Sequence, residues 1–142
     1  MIRKLEEDDD ISKVLRIWLD SNIEVHNFIS RDFWFDNLHF VESALSQSEV
    51  YISIYNNSIS GFIGLNNNFI EGLFVDSKYR SKGVGKRLLD YIKLNHHLLK
   101  LNVYVKNIRA IDFYKRNAFI ISRKFIDELT GEDSYEMIWS KL

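Results

Sequence analysis

The sequence has no cysteine and no proline, and only six of its 142 residues are glycine. The lack of cysteine excludes disulfide frameworks, thiolate zinc sites and any mechanism with a cysteine nucleophile. Long apolar runs are missing too, since none approaches the ~18 residues of a membrane span. Charged residues interrupt residues 1–10, so this segment cannot be the apolar part of a signal peptide. We therefore expect a soluble, cytoplasmic protein with no membrane partner.

An excess of charge of one sign is also absent. The 19 basic and 20 acidic residues give a formal net charge of -1, which argues against a general nucleic-acid binder. Hydrophobic residues make up 46% of the chain and aromatic residues 14%, a composition typical of globular proteins rather than of disordered segments. Because a second hydrophobic core would need roughly 100 residues of its own, we expect a single domain over residues 1–142.

The periodicity of the apolar residues predicts alternating helices and strands. A short first strand precedes the acids of residues 6–10, which would cap an amphipathic helix whose apolar positions run from Ile11 to Leu19. A less regular helix follows Ser30. From Val50 to Val75 the period changes to two and predicts a hairpin and a third strand. The whole chain gives the order β-α-α-β-β-β-α-β-α-β-β.

Two of the six glycines, Gly83 and Gly85, lie in the most basic segment of the chain. Residues 78–87 contain five bases and no acid. The segment lies between a predicted strand and a predicted helix, where backbone N–H groups, the helix dipole and the bases would all face an anion. The alternative is a solvated basic turn that needs glycine only for its geometry.

Two common phosphate-binding motifs do not match this segment. A dinucleotide fingerprint that starts at Gly83 would require glycine at the position of Leu88. A P-loop would require glycine in place of Arg80 and serine or threonine in place of Arg87. The pattern that remains is R-x-x-G-x-G-K.

This pattern and a second block resemble the GNAT superfamily of acetyl-CoA-dependent N-acetyltransferases. The family's pyrophosphate loop is R/Q-x-x-G-x-G/A, and its second block is N-x-x-A-x-x-F-Y-x-x-x-G-F. The second block is matched by Asn107, Ala110, Phe113, Tyr114 and Phe119. One position departs, because Ala118 stands where the family has glycine. We expect the neighbouring Asn117 to take the left-handed helix-cap conformation instead.

The resemblance implies an α/β (α+β) GNAT fold, with a mixed, mostly antiparallel sheet of about seven strands flanked by four helices. It implies an N-acetyltransferase that uses acetyl-CoA, without a metal, to acetylate an amine acceptor. Within the superfamily the chain looks most like small bacterial single-domain enzymes that acetylate protein lysines, because of the aromatic residues around His26 and Phe28. These two residues would also contact the acceptor.

The resemblance further assigns the acetyl-CoA site. The backbone of Leu73, Phe74 and Val75 would bind the pantetheine arm, and the Val75 N–H would stabilise the negative charge that develops on the thioester oxygen. Tyr114 would be the general acid that protonates the leaving thiolate. The other contacts would come from Arg80, Ser81, Lys82, Gly83, Val84, Gly85, Lys86, Asn107 and Ala110.

Without cysteine, the chemistry favoured is direct attack of the amine on the thioester in a ternary complex. A lysine amine has a reference pKa of ~10.4 and must lose a proton first. Strand alternation predicts that Glu71 shares a face with Leu73 and Val75, which makes Glu71 the candidate base, with a water relay as the alternative. Tyr114 can act as the acid if the site lowers its pKa or if its hydrogen bond strengthens in the transition state.

Other functions stay open at this stage. The acceptor could be a small-molecule amine, or the protein could be a non-catalytic acyl-CoA sensor. An RNA-docking module that uses residues 78–87 is a third possibility. The adjacent pair His96 and His97 is not expected to bind a metal, since neighbouring helical side chains diverge by about 100°. A monomer and a homodimer are equally compatible with the sequence.

Overall fold

The computed structural model describes residues 1–6 and 8–142, which form seven strands and four α-helices. Glu7, one of the acids expected before the first helix, lies outside the described residues. The strands are β1 Ile2–Lys4, β2 Glu49–Tyr55, β3 Ser58–Asn66, β4 Phe69–Val75, β5 Leu98–Tyr104, β6 Ile120–Ile126 and β7 Asp133–Ser140. The helices are α1 Ile11–Val25, α2 Arg31–Leu45, α3 Val84–Lys93 and α4 Ile108–Arg116, and a short 3-10 turn spans Ser77–Tyr79. The predicted order of elements is confirmed.

All seven strands belong to one sheet in the order β1-β2-β3-β4-β5-β7-β6. The pair β4–β5 is parallel, and the other five pairs are antiparallel. The sheet is therefore mixed and mostly antiparallel, and with its four helices it confirms the expected fold class. The parallel pair is short, because only Phe69 and Ile70 of β4 have partners on β5.

The helices cover both faces of the sheet. The apolar side chains of α3 and α4 pack into one buried cluster, and those of α1 and α2 pack into another. Phe62 and Ile63 are neighbours in β3 and belong to different clusters, as the alternation of side chains along a strand requires. The two helix layers thus hold the sheet between them, and the ends of α1 and α4 meet beside the gap between β4 and β5.

Among the helices of the described residues, none has the length and hydropathy needed to cross a bilayer.

Candidate active site

A cavity of about 500 Å³ opens where β4 and β5 separate. The edge of β4 that faces away from the cavity pairs with β3 as far as Val75. In the described part of the chain, the edge of β4 that faces the cavity has no strand partner beyond Ile70. The Asp76 N–H donates to the Ser60 carbonyl of β3 at 2.8 Å. Since successive backbone amides point to opposite sides of a strand, the Val75 N–H points away from β3, toward the cavity. Leu73, Phe74 and Val75 all line it.

The loop between β4 and α3 forms a concave backbone surface at one end of the cavity. Ser81 and Gly83 have left-handed backbones, with φ of 63° and 79°. Residues in this conformation direct neighbouring N–H groups to one side and create an anion-binding hollow. Helix α3 begins directly after Gly83 with no side-chain hydrogen bond at its N-terminus, whereas the other three α-helices are capped by side chains. The first N–H groups of α3 are therefore free for an anion.

The electrostatics of the cavity match this backbone arrangement. Four basic residues line it, and its described lining contains no carboxylate; the bases are Arg80, Lys86, Arg109 and Arg116. Glu24, in the last turn of α1, pairs with the Arg80 guanidinium at the edge of the cavity. The nearby Arg80 holds the pKa of Glu24 below its usual value, so Glu24 is ionised at neutral pH. Bases, free amides and a helix N-terminus together fit the phosphates of acetyl-CoA.

Tyr114 of α4 lines the cavity from the buried side, with 8% of its surface exposed. Its hydroxyl forms no side-chain hydrogen bond in the part of the protein described. Burial raises the pKa of Tyr114 well above the ordinary value of a phenol, so the hydroxyl stays protonated and can donate a hydrogen bond. An acid role for Tyr114 needs either a lowered pKa or a hydrogen bond that strengthens in the transition state. Because the pKa is raised rather than lowered, the role depends on the hydrogen bond.

Helix α4 ends in a Schellman motif that begins at the Tyr114 carbonyl. The Phe119 N–H donates to this carbonyl at 3.0 Å, and the Ala118 N–H donates to the Lys115 carbonyl at 3.1 Å. The left-handed residue is Ala118, with φ of 71°. The expectation that Asn117 takes this conformation is wrong, since Asn117 has φ of -103°. The motif needs the left-handed turn one residue after the cap, and that position is Ala118.

His26 and Asn107 meet at the side of the cavity and both line it. The Asn107 Nδ2 lies 3.1 Å from the His26 Nε2, and the His26 Nδ1 lies 2.9 Å from the Asn22 Oδ1. Burial lowers the pKa of His26 to about 4, so its imidazole is neutral at physiological pH. Asn107 also caps α4, because its Oδ1 accepts the Ala110 N–H at 3.2 Å. These bonds join the C-terminus of α1 to the N-terminus of α4.

Glu71 lies outside the lining of the cavity. The register between β3 and β4 skips Glu71 and pairs the residues on either side of it, which makes it a β-bulge. Its exposed carboxylate accepts a hydrogen bond from the Ser48 hydroxyl at 3.2 Å. Leu73 and Val75 instead pack with Ile70 against the α3 and α4 side of the sheet. The prediction from strict alternation, that Glu71 shares their face, is wrong because the bulge shifts the alternation by one residue.

Two other predicted site residues are near the cavity but do not line it. The Phe28 ring packs edge-on against His26, with centroids 5.7 Å apart, and the Lys106 ammonium lies 5.2 Å from the Phe28 ring centre. Lys82 is exposed on the basic loop, and its carbonyl accepts a hydrogen bond from Arg87 at 2.9 Å. The other predicted residues, apart from Glu71, all line the cavity.

The structure adds residues to the site that the sequence patterns did not predict. Arg109 and Arg116 are seven positions apart on α4, where helical periodicity places both on one face with Ala110 and Phe113. That spacing could have identified them. The pair Glu24 and Arg80 had no such signal, since 56 positions separate the two residues.

Comparisons with known proteins agree with this geometry. Residues 11–119 match the family model described as the acetyltransferase (GNAT) family. The peptidyl-lysine N-acetyltransferase YiaC of Escherichia coli K12 is 32% identical over 98% of this chain and 96% of its own length.

Solved structures with the same architecture include the apo form of YjaB from Escherichia coli, with a TM-score of 0.84 and 23% identity over 98% of this chain and 96% of that one. A putative streptothricin acetyltransferase from Bacillus anthracis, solved with acetyl coenzyme A, has a TM-score of 0.61 and 30% identity over 67% of this chain and 63% of that one. The chain belongs to the GNAT family of acetyltransferases and is an acetyl-CoA-dependent N-acetyltransferase.

Proposed function

We propose that this enzyme, as one catalytic domain over residues 1–142, acetylates lysine side chains of proteins by direct attack of the amine on acetyl-CoA in a ternary complex. The observation that carries the proposal is the cavity between β4 and β5, which has an anion-binding loop at one end and a free tyrosine hydroxyl inside. The lysine acceptor is supported by the similarity to YiaC, which is named a peptidyl-lysine N-acetyltransferase.

The basic loop would hold the diphosphate of acetyl-CoA. Arg80 and Lys86 supply positive charge, and the free N–H groups from Ser81 to the first turn of α3 supply hydrogen bonds. Lys82 would contribute long-range attraction only, because its side chain does not reach the cavity. The unpaired edge of β4 would bind the amides of the pantetheine arm, with Asn107 on the opposite side of the cavity.

The reaction forms a C–N bond to the amine and breaks the C–S bond of the thioester. The Val75 N–H points toward the cavity and would stabilise the oxyanion. Tyr114 would donate its proton to the departing thiolate, and solvent would then return a proton to the phenolate. The lysine ammonium loses one proton to water before it attacks, and its nitrogen loses a second to water as the tetrahedral intermediate collapses to the amide. Neither proton goes to Glu71, since the described cavity lining offers no carboxylate, and the pKa of His26 is about 4.

His26 and Phe28 lie at the side of the cavity nearest the hairpin of β6 and β7. Tyr104 packs against both rings, with centroids 4.9 Å from His26 and 5.6 Å from Phe28. The Tyr104 hydroxyl donates to Asp127 of the hairpin at 3.2 Å. We expect the acceptor lysine to approach over the Phe28 and Tyr104 rings, where its aliphatic stem can be covered.

The test is an acetylation assay with three groups of acceptors: lysine peptides, free polyamines and aminoglycosides. Thiol release and mass spectrometry both monitor transfer. The proposal expects peptide kcat/KM to exceed that of the small amines by at least tenfold. A preference for a small amine would replace the acceptor class, and a thermal shift with acetyl-CoA but no transfer to any acceptor would favour a sensor.

A further inference from the structure

Four side-chain hydrogen bonds form one continuous chain from α1 to α4. The Asn22 Nδ2 donates to the Trp18 carbonyl at 2.9 Å, so the Asn22 Oδ1 faces His26. The His26 Nδ1 must therefore carry the proton, and its Nε2 is left as the acceptor. The Asn107 Nδ2 occupies that acceptor at 3.1 Å, and the Asn107 Oδ1 faces the Ala110 N–H. Each of the four bonds pairs a donor with an acceptor, so the orientation of each group determines that of the next.

The surroundings of the imidazole hold this arrangement in place. The His26 ring packs against Phe28, Trp34 and Tyr104, with centroid distances of 4.9 to 5.7 Å. Asn22 is 3% exposed, so its amide has little access to water as an alternative partner. Rotation of the His26 ring or of the Asn22 amide would leave a buried polar atom without a partner. The free-energy cost of that atom exceeds what the hydrogen bond itself contributes.

The four bonds use only one of the two protons on the Asn107 side-chain nitrogen. Its Nδ2 carries two protons, of which His26 accepts one, and Asn107 lines the cavity between β4 and β5. We propose that His26, oriented by Asn22, is a positioning residue that holds the Asn107 amide so that its second Nδ2 proton is presented to a carbonyl of the bound acetyl-CoA. The assignment rests on the proposed binding of the pantetheine arm beside Asn107.

This role differs from a contact between His26 and the acceptor amine. A positioning residue acts on acetyl-CoA affinity and only through Asn107. A residue that touches the acceptor acts on the KM of the amine, whether or not Asn107 is present. A double-mutant cycle therefore separates the two roles.

The cycle uses H26F, N107A and the double variant, with the dissociation constant of acetyl-CoA measured by calorimetry and the KM of a lysine peptide by thiol release. Phenylalanine retains the ring packed between Phe28 and Tyr104 and lacks both nitrogens. We expect H26F and N107A each to weaken acetyl-CoA binding about tenfold, and the double variant to lose about tenfold rather than about a hundredfold. The peptide KM should change less than twofold in H26F. The matched control H39F, at an exposed histidine of α2, should bind acetyl-CoA as the wild type does.

Two further measurements complete the test. H26Q, which can still accept from Asn107 and donate to Asn22, should recover binding to within threefold of the wild type. Nitrogen NMR of the unmodified protein at pH 7 should show His26 with its proton on Nδ1, and this measurement does not depend on any variant folding.

Several outcomes would overturn the inference: additive losses in the double variant, unchanged acetyl-CoA binding in H26F beside a weakened N107A, or a proton on Nε2. If N107A itself binds acetyl-CoA normally, the proposed pantetheine contact fails and the inference fails with it. If N107A is weakened and H26F is not, the positioning role alone is lost.

Discussion

The side-chain amide of Asn107 donates a hydrogen bond to the Nε2 of His26 across 3.1 Å, although 81 positions separate the two residues in the chain. The bond requires a neutral imidazole, because a protonated His26 would direct an N–H at the Asn107 amide. Burial favours the same state and lowers the pKa of His26 to about 4. This contact at the side of the cavity between β4 and β5 is therefore sensitive to acid but not to pH changes near neutrality.

The first prediction concerns stability in acid. The unfolded chain protonates His26 near its reference pKa of ~6.5, whereas the folded protein does so only near 4. Between these values the unfolded state binds more protons, so the free energy of unfolding falls as the pH falls, by up to about 1.4 kcal/mol per pH unit from this group. Above pH 6.5 the contribution is complete and constant. Denaturant unfolding of the wild type and of H26F from pH 4 to pH 8 measures it as the difference between the two curves, and parallel curves would contradict the prediction.

The second prediction concerns the acid. Removing the Tyr114 hydroxyl in Y114F should lower kcat by ~10²-fold or more, with acetyl-CoA affinity changed by less than threefold, because the hydroxyl has no protein partner to lose. Y91F is the matched control, since Tyr91 of α3 packs against Tyr51 outside the cavity lining. Wild-type turnover in Y114F would remove the acid role.

The third prediction separates two bases of the same loop. Arg80 lines the cavity and Lys82 does not, so R80Q should raise the KM for acetyl-CoA about tenfold and K82Q less than threefold. The KM for acetyl-CoA of both variants should be measured at 50 and 300 mM salt. The effect of K82Q should disappear at high salt, because the Lys82 charge acts on the ligand only at long range. Equal effects of the two variants at high salt would show that position in the cavity does not matter.

The fourth prediction concerns the proton of the attacking amine. Because Glu71 is exposed and outside the cavity, E71Q should retain at least half of the wild-type kcat. With water as the proton acceptor, kcat/KM for a lysine peptide should rise about tenfold per pH unit from pH 7 toward the amine pKa of ~10.4. A tenfold loss in E71Q, or a rate plateau that E71Q abolishes, would restore Glu71 as the base.

The fifth prediction concerns the end of α4. Ala118 has a left-handed backbone, which costs a non-glycine residue about 1–2 kcal/mol. A118G should therefore raise the free energy of unfolding by ~1 kcal/mol, less the entropy that glycine adds to the unfolded chain. Urea denaturation tests the prediction, and a decrease in stability would show that the methyl group contributes packing that outweighs the backbone strain.

Local sequence patterns were sufficient for the order of the elements, and the resemblance carried by two short blocks was sufficient for most of the cavity lining. The stripe from Ile11 to Leu19, the period of two in β2 and β3, and the basic loop with Gly83 and Gly85 all act within a few residues of one another. The block from Asn107 to Phe119 is likewise one helix and its two caps. Such features follow from backbone sterics and helix geometry, which the neighbouring residues specify.

Strict alternation along β4 gives a wrong prediction at one residue, Glu71. A β-bulge adds a residue to one strand only, and it depends on how that strand pairs with its partner rather than on the residue itself. The sequence pattern therefore predicts a regular strand position for Glu71. In the structure Glu71 is the bulged residue and lies outside the cavity lining.

The sequence by itself determined the order of the elements and the position of the basic loop between β4 and α3, because both depend on short-range spacing. Tertiary structure alone decided which groups meet around the cavity: Glu24 with Arg80 across 56 positions, and His26 with Asn107 across 81. These contacts arise where α1 packs over the gap between β4 and β5. They depend on where β4 and β5 stop pairing, and the periodicity of neighbouring residues does not predict that point.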